Sequence, residues 1–314
     1  MLSLLGSIFL GWSLGANNAA NAFGSAVATR MLRFRTAAVL ASVFVLLGAL
    51  LEGEAGIETL KGLTQMTMDK AVVVSVAAAV TMTLLTVLGL PVSASQGVVG
   101  AILGIGFLNH QLDLSGLGKV IGCWFGTPIG GLVTAIVIYR LLSVLYNKLH
   151  LDLFQSDIIV RMSLIVAGSY AAYALGANNV ANVTAVFVGA GKLDLFSATL
   201  IGGLSIALGI LTFSQPVMET VGRKLVRLDP FSALIVVLAE AVTVHFYTLI
   251  GVPVSTSQAV VGAILGVGIV KGINTVSRRT LVNILSGWFL TPVIACFLTL
   301  SIHFVTNLRY VPQG

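Results

Sequence analysis

The chain repeats itself, and that constrains its fold more than any other feature does. Gly15-Ala16-Asn17-Asn18-Ala19-Ala20-Asn21 returns as Gly176-Ala177-Asn178-Asn179-Val180-Ala181-Asn182, and Glu58-Thr59 returns at the same spacing as Glu219-Thr220. Pro91-Val92-Ser93-Ala94-Ser95-Gln96 returns as Pro253-Val254-Ser255-Thr256-Ser257-Gln258, and each copy continues into the same Val-Val-Gly-Ala-Ile-Leu-Gly string. Trp124-Phe125-Gly126-Thr127-Pro128 returns as Trp288-Phe289-Leu290-Thr291-Pro292. Blocks in one order at nearly constant spacing divide the chain into an N-terminal repeat, 1–146, a polar linker, 147–157, and a C-terminal repeat, 158–314.

Of the 314 residues, 57% are hydrophobic and only 9% charged, where an ordinary soluble domain is roughly a quarter charged. Lipid must therefore solvate most of the apolar surface. Runs such as 36–51, 71–90 and 120–146 have helical length, and none alternates as a barrel strand would. The formal charge of +6 does not mark a nucleic-acid binder. Its basic residues cluster between apolar runs, as cytoplasmic loops do: Arg30/Arg33/Arg35, Arg223/Lys224/Arg227 and Lys271/Arg278/Arg279. Cys123 and Cys296 lie in apolar segments without metal-ligand spacing and read as packing residues. The N-terminus lacks a basic leader and reads as the first helix rather than a signal peptide. The chain is expected in the inner or plasma membrane, crossing it several times.

Charge and length together set the topology. With Arg30 to Arg35 in the cytoplasm, the stretch carrying Glu52, Glu54, Glu58 and Asp69 is external. If 71–107 made one full crossing, the basic stretches 140–161 and 223–227 would fall outside; if it folds back at Pro91, both fall inside. The arm 97–108 reaches only about 18 Å, well under the roughly 30 Å hydrocarbon core. The expected fold is thus an all-α polytopic membrane protein with two inverted-topology repeats. Each has three full crossings, the first interrupted by the Asn motif, and one re-entrant helical hairpin. Arg309 is the exception to the charge rule. Inverted repeats with broken helices are the architecture of secondary transporters, with the site at the repeat interface.

Asn17 and Asn21 share a helix face, as do Asn178 and Asn182, and each block lies mid-segment. Asparagine can serve as interhelical glue, but two matching clusters at membrane depth point to a transport pathway. In the other block, Ser93, Ser95 and Gln96 stand where a helix would start after proline, as do Ser255, Thr256, Ser257 and Gln258. Such an N-terminus offers free N–H groups and partial positive charge to an anion, although serine there is also an ordinary cap. No Lys or Arg lies in either block, so cations must offset the anion's charge. Na⁺ at Asn17, Asn18, Asn178 and Asn179 is the expectation, with H⁺ the rival. Glu240, inside the apolar stretch 231–251, is a candidate proton or cation site. It could instead line a cavity or pair with His245. Trp124 and Trp288 read as packing and kink positions. There is no Ser/His/Asp set, metal cluster or phosphate loop to suggest an enzyme.

The blocks 15–24 and 176–185, with 91–100 and 253–262, resemble the signatures of the inorganic phosphate transporter (PiT) family along the whole chain. That resemblance implies a duplicated, inverted carrier of phosphate with Na⁺ or H⁺. It also implies ligand contacts at Asn17, Asn21, Asn178 and Asn182 and at the Ser, Thr and Gln positions of the hairpin tips. Two features depart from the family pattern. The usual aspartate is Asn18 in one half and Asn179 in the other, and the usual membrane glutamates align with Val45 and Val237, with Glu240 one turn beyond. A carboxylate accepts the proton that phosphate still carries and repels sulfate, which has none. A site of amides and hydroxyls therefore keeps sulfate as a second cargo. An anion channel is the alternative of a different class, and a homodimer is a plausible assembly for such a carrier.

Overall fold

In lipid every backbone group must be bonded within its own segment, so the apolar runs become helices. The computed structural model describes residues 2–87, 92–224, 228–272 and 278–308. The N-terminal half contains α1 (Leu5–Ala28), α2 (Phe34–Glu52), α3 (Glu54–Lys61), α4 (Met68–Val87), α5 (Ala94–Asn109) and α6 (Leu114–Lys148). The C-terminal half contains α7 (Leu153–Gly189), α8 (Leu195–Lys224), α9 (Pro230–Leu249), α10 (Thr256–Lys271) and α11 (Arg278–Leu308). No strand occurs among the described residues. Residues 149–152 separate α6 from α7, so the helices extend into the polar stretch 147–157.

The helices repeat with the sequence. α5 and α10 are both 16 residues long, and each begins within its copy of the Ser-rich block. α8, a single 30-residue helix, corresponds to α2 plus α3, which are separated only at Gly53. A Cβ at Gly53 would stand 2.3 Å from Val180 Cγ1 of α7, so a side chain does not fit at that junction.

The two halves are interlocked. α1 packs chiefly against α8, α2 against α7, α5 against α11 and α6 against α10. Matching glycines make the first two crossings close. A Cβ on Gly15 would lie 1.9 Å from the Ile206 carbonyl oxygen, and one on Gly209 would lie 1.9 Å from that of Trp12. In the mate crossing, a Cβ on Gly176 would stand 2.0 Å from the Val45 carbonyl oxygen, and one on Gly48 2.0 Å from that of Tyr173. Added Cβ atoms on Gly100 and Gly262 would likewise meet the Pro292 and Pro128 carbonyl oxygens, at 2.3 and 2.0 Å. The Thr-Pro motifs are therefore packing positions, and α6 and α11 run unbroken through them.

Each short helix returns to the level where its partner began. Ahead of α4, Gln65 O accepts from Asn109 Nδ2 at 3.0 Å, and Leu63 O accepts from Asp113 N at 3.0 Å, both donors lying at or beyond the end of α5. At the other pair, Lys271 ending α10 bonds Asp229 and Ser232 at the start of α9. α4–α5 and α9–α10 are thus helical hairpins. Pro91, where the first was expected to turn, lies outside the described residues.

Among the described residues, seven helices are long and apolar enough to cross a membrane: α2, α4, α6, α7, α8, α9 and α11. The first hairpin arms are therefore of spanning length, while α5 and α10, at about 24 Å, are not. The 24-residue α1 carries three asparagines, which lower its hydropathy. Large apolar side chains stand exposed along α6 (Phe125, Ile129, Val133) and α11 (Phe289, Phe297, Phe304).

One expectation fails. The Asn motifs do not interrupt their helices: α1 and α7 run straight through them. The reason is local. Asn179 Nδ2 donates to Leu175 O at 3.0 Å, one turn back, without displacing the backbone ladder, and Gly176 lets the neighbouring helix approach an intact helix.

Candidate functional site

The two hairpins touch where their second arms begin. Ser95 Oγ, in the first turn of α5, donates to Val254 O at 3.0 Å, just before α10. The same Val254 is held from α7: Asn178 Nδ2 donates to its carbonyl at 2.8 Å, and its N–H donates to Asn178 Oδ1 at 2.8 Å. One turn on, Asn182 Nδ2 donates to Ser95 Oγ at 3.0 Å and to Asn179 Oδ1 at 3.2 Å. A closed network thus joins α7, the tip of one hairpin and the tip of the other. A second link comes from α1, where Asn21 Nδ2 donates to Thr256 Oγ1 at 3.0 Å.

Both short helices begin at this junction. Ser93 caps α5 and accepts from Gln96 N at 3.4 Å; Ser255 caps α10 and accepts from Gln258 N at 3.3 Å. Gln96 and Gln258, each in its helix's first turn, are buried, and their Oε1 atoms have no partner among the described residues. Asn182 Oδ1 is buried and unpartnered too. Buried acceptors left unpaired cost roughly 1–3 kcal/mol each, and a cation or a ligand's O–H would satisfy them. Helix N-termini supply the complementary donors. No Lys or Arg takes part in these bonds. The arrangement can hold an anion together with a cation.

The equivalent positions differ in exposure. Asn178 and Asn182 are at most 2% exposed and Ser95 is fully buried, whereas their mates Asn17, Asn21 and Ser257 are half-buried. The side chains of Asn17, Asn18 and Ser257 bond no described residue. Glu240 is only 2% exposed, yet it forms no hydrogen bond with the network, and its Oε2 is unpartnered. The pairing considered for it also fails. His245 bonds Glu52 Oε2 at 2.6 Å and the Tyr170 hydroxyl at 2.7 Å, because five helical residues carry its ring to a different face from Glu240. Sequence reasoning missed Val254, whose contribution is its backbone, and Glu52, whose partner lies 193 positions away.

With that geometry in view, a profile of the phosphate transporter family matches residues 14–299. The chain belongs to the phosphate transporter family. It is 32% identical to a candidate phosphate permease of Methanocaldococcus jannaschii over 98% of this chain and 96% of that one. It is 29% identical to the sulfate permease CysP of Bacillus subtilis, covering 97% of this chain and 86% of that one. A solved structure described as the sodium-dependent phosphate transporter shares the fold, with a TM-score of 0.85, 24% identity and coverage of 98% and 100% of the two chains. This member of the phosphate transporter family is accordingly a multi-pass membrane protein and a transporter rather than an enzyme.

Proposed function

We propose that the protein imports inorganic phosphate by Na⁺ symport through alternating access. The observation that carries this reading is the meeting of two capped helix N-termini at one asparagine network, with buried acceptor oxygens left over. In it the anion takes the N–H groups and hydroxyls of Ser93, Ser95, Ser255, Thr256 and Ser257, with the amides of Gln96, Gln258, Asn17, Asn21, Asn178 and Asn182. Na⁺ is held by carbonyl oxygens of the Asn17-Asn18 and Asn178-Asn179 pairs. Glu240, the one buried carboxylate of α9, is assigned a cation or proton role although it stands apart from the network. The likeness to a sodium-dependent phosphate transporter favours both cargo and coupling ion.

Alternation is supported by the unequal halves. Asn178, Asn182 and Ser95 are sealed, while Asn17, Asn21 and Ser257 remain partly open, as expected when access is from one side at a time. The repeats are read as inverted, since two hairpins that touch at their tips enter most simply from opposite faces. Tips bonded to one another also favour a carrier over a channel.

A second reading keeps the mechanism and changes the cargo: an H⁺-coupled sulfate permease. The specific observation is a network without a carboxylate, together with the likeness to a sulfate permease. Uptake of labelled phosphate and sulfate into proteoliposomes, with and without an inward Na⁺ gradient and at two pH values, separates the readings. Na⁺-dependent phosphate uptake is expected. Sulfate uptake with phosphate excluded reassigns the cargo, and flux independent of any gradient overturns the symporter.

A further inference from the structure

We propose that Glu52, His245 and Tyr170 form a proton-binding site that latches α3 over the turn of the second hairpin. The proposal deepens the reading as an alternating-access carrier and rests on it.

Three helices converge in this cluster, about two turns of α7 ahead of Asn178. Glu52 is the last residue of α2, and only Gly53 separates it from α3. Its Oε2 lies 2.6 Å from His245 Nε2 on α9, and His245 Nδ1 lies 2.7 Å from the Tyr170 hydroxyl on α7. Tyr173, one turn nearer the Asn motif, stands beside the same carboxylate with its ring 5.8 Å from the imidazole. His245 and Glu52 are only partly buried, with side chains 18% and 31% exposed.

Both protonation states can be accommodated. A neutral ring donates from Nε2 to the carboxylate and accepts the Tyr170 proton at Nδ1, which leaves Glu52 as an uncompensated charge. Adding one proton at Nδ1 turns the tyrosine oxygen into an acceptor and makes Glu52–His245 a charge-assisted pair. No covalent bond breaks in this step. Histidine is the side chain suited to such a change between pH 5 and 8.

What the cluster holds is the lid of the second hairpin. A Cβ on Gly56 of α3 would lie 3.2 Å from Pro253 Cγ, and one on Gly251 would lie 3.3 Å from Ala55 O and 3.4 Å from Thr59 Oγ1. α3 therefore rests directly on the 250–253 turn, which leads to the Val254 that Asn178 holds. Tightening Glu52 on His245 anchors the α2–α3 corner to α9, and loosening it frees α3.

Other titratable groups stand around α9, with Tyr139 and Tyr146 of α6 against Phe231 at its far end. From α6, Lys119 donates to Ile250 O at 2.9 Å, and the stretch with Cys123 and Gly126 faces Tyr247. α3 brings Glu54, and Glu58 in a pair with Lys61. On α9 itself, Glu240 lies more than a turn away. α1 carries no titratable residue, and the one on α10, Lys271, sits at the opposite end against Asp229.

The test labels a reporter thiol on α3 in the full chain in lipid nanodiscs, so no cargo is needed and failure of the transport reading is seen separately. In a Cys123→Ala, Cys296→Ala background, Thr59→Cys is reacted with a maleimide at pH 6 and pH 8. Each rate is normalised to that of the same thiol in denatured protein at that pH. The normalised rate should rise at least threefold from pH 6 to pH 8. Adding His245→Gln should remove that rise, and Tyr170→Phe, which retains the ion pair, should preserve most of it. A normalised rate that does not change with pH, or a rise that persists in His245→Gln, overturns the proposal. His245→Gln protein whose thermal unfolding matches that of the background confirms that a lost rise reflects the latch; a collapsed unfolding transition would make the cluster a structural one and overturn it.

Discussion

The two asparagine blocks have nearly the same sequence and different surroundings. Asn178 grips the backbone of Val254 with both ends of its amide, and Asn182 reaches across to Ser95. Asn17 makes neither kind of bond, and Asn21 has one contact, with Thr256. The frame around them is nearly symmetric: at its paired glycine crossings an added Cβ would stand 1.9 Å from the facing carbonyl oxygen in one and 2.0 Å in the other. The difference therefore lies in how the hairpins are seated on a common frame. The alternating-access mechanism proposed above requires such a difference: each half would have to adopt the arrangement that the other holds.

The largest effects should fall on the shared frame and be equal in the two halves. Gly15→Ala and Gly176→Ala each drive a methyl into a carbonyl of the opposing helix. Each should cost about 3 kcal/mol or more and remove most of the monodisperse protein in size-exclusion profiles. A mild effect at one alone would break the symmetry of the frame. Next come the amides, where the halves should part. Asn178→Ala strands Val254 N–H in a buried site, costing roughly 1–3 kcal/mol. Asn17→Ala should stay within about 0.5 kcal/mol by thermal unfolding, while both abolish uptake. Equal stability losses would mean that the halves are not differently seated.

Ser95→Ala removes a donor to Val254 and the acceptor for Asn182, for about 1 kcal/mol. Ser257→Ala should cost next to nothing in the same melt. The smallest difference lies at the hairpin bases. The first base closes through Lys70 and the neutral Asn109, the second through Lys271 and Asp229. Burial raises the Asp229 pKa, but the Lys271 ammonium and the Ser232 N–H and hydroxyl outweigh it and hold the group below its ordinary value. A carboxylate depressed on folding stabilises above its unfolded pKa, near 3.9. That stability is lost as pH falls through the lower folded value. Asp229→Asn, which keeps an N-cap acceptor, should cost up to about 1 kcal/mol at pH 7 through the lost surface pair with Lys271. The penalty should shrink in melts below pH 4.

Much of this was legible in the sequence because the signals were local. Serine before a small-residue helix fixed the starts of α5 and α10, and the repeat aligned their lengths. Apolar runs gave the helices. The unread parts depend on distance in space. Nothing near Asn178 reveals that its partner is a backbone amide 76 residues away. His245 was weighed against the nearby Glu240, while helical phase placed it on Glu52. The expected break at the Asn motif assumed that polar side chains unwind a helix, and Asn179 instead bonds one turn back. Two equal motifs also cannot disclose which one is engaged.

The interlocking of the halves also bears on how the chain is made. The principal partner of α1 is α8 and that of α2 is α7, so neither opening helix meets its mate until more than half of the chain has left the ribosome. Until then the glycine faces of α1 and α2 stand in the bilayer unfilled, each a landing place for the wrong helix. Order of synthesis thus becomes part of the folding problem. A chain cut after α6 would be an arrested intermediate with every main crossing still open.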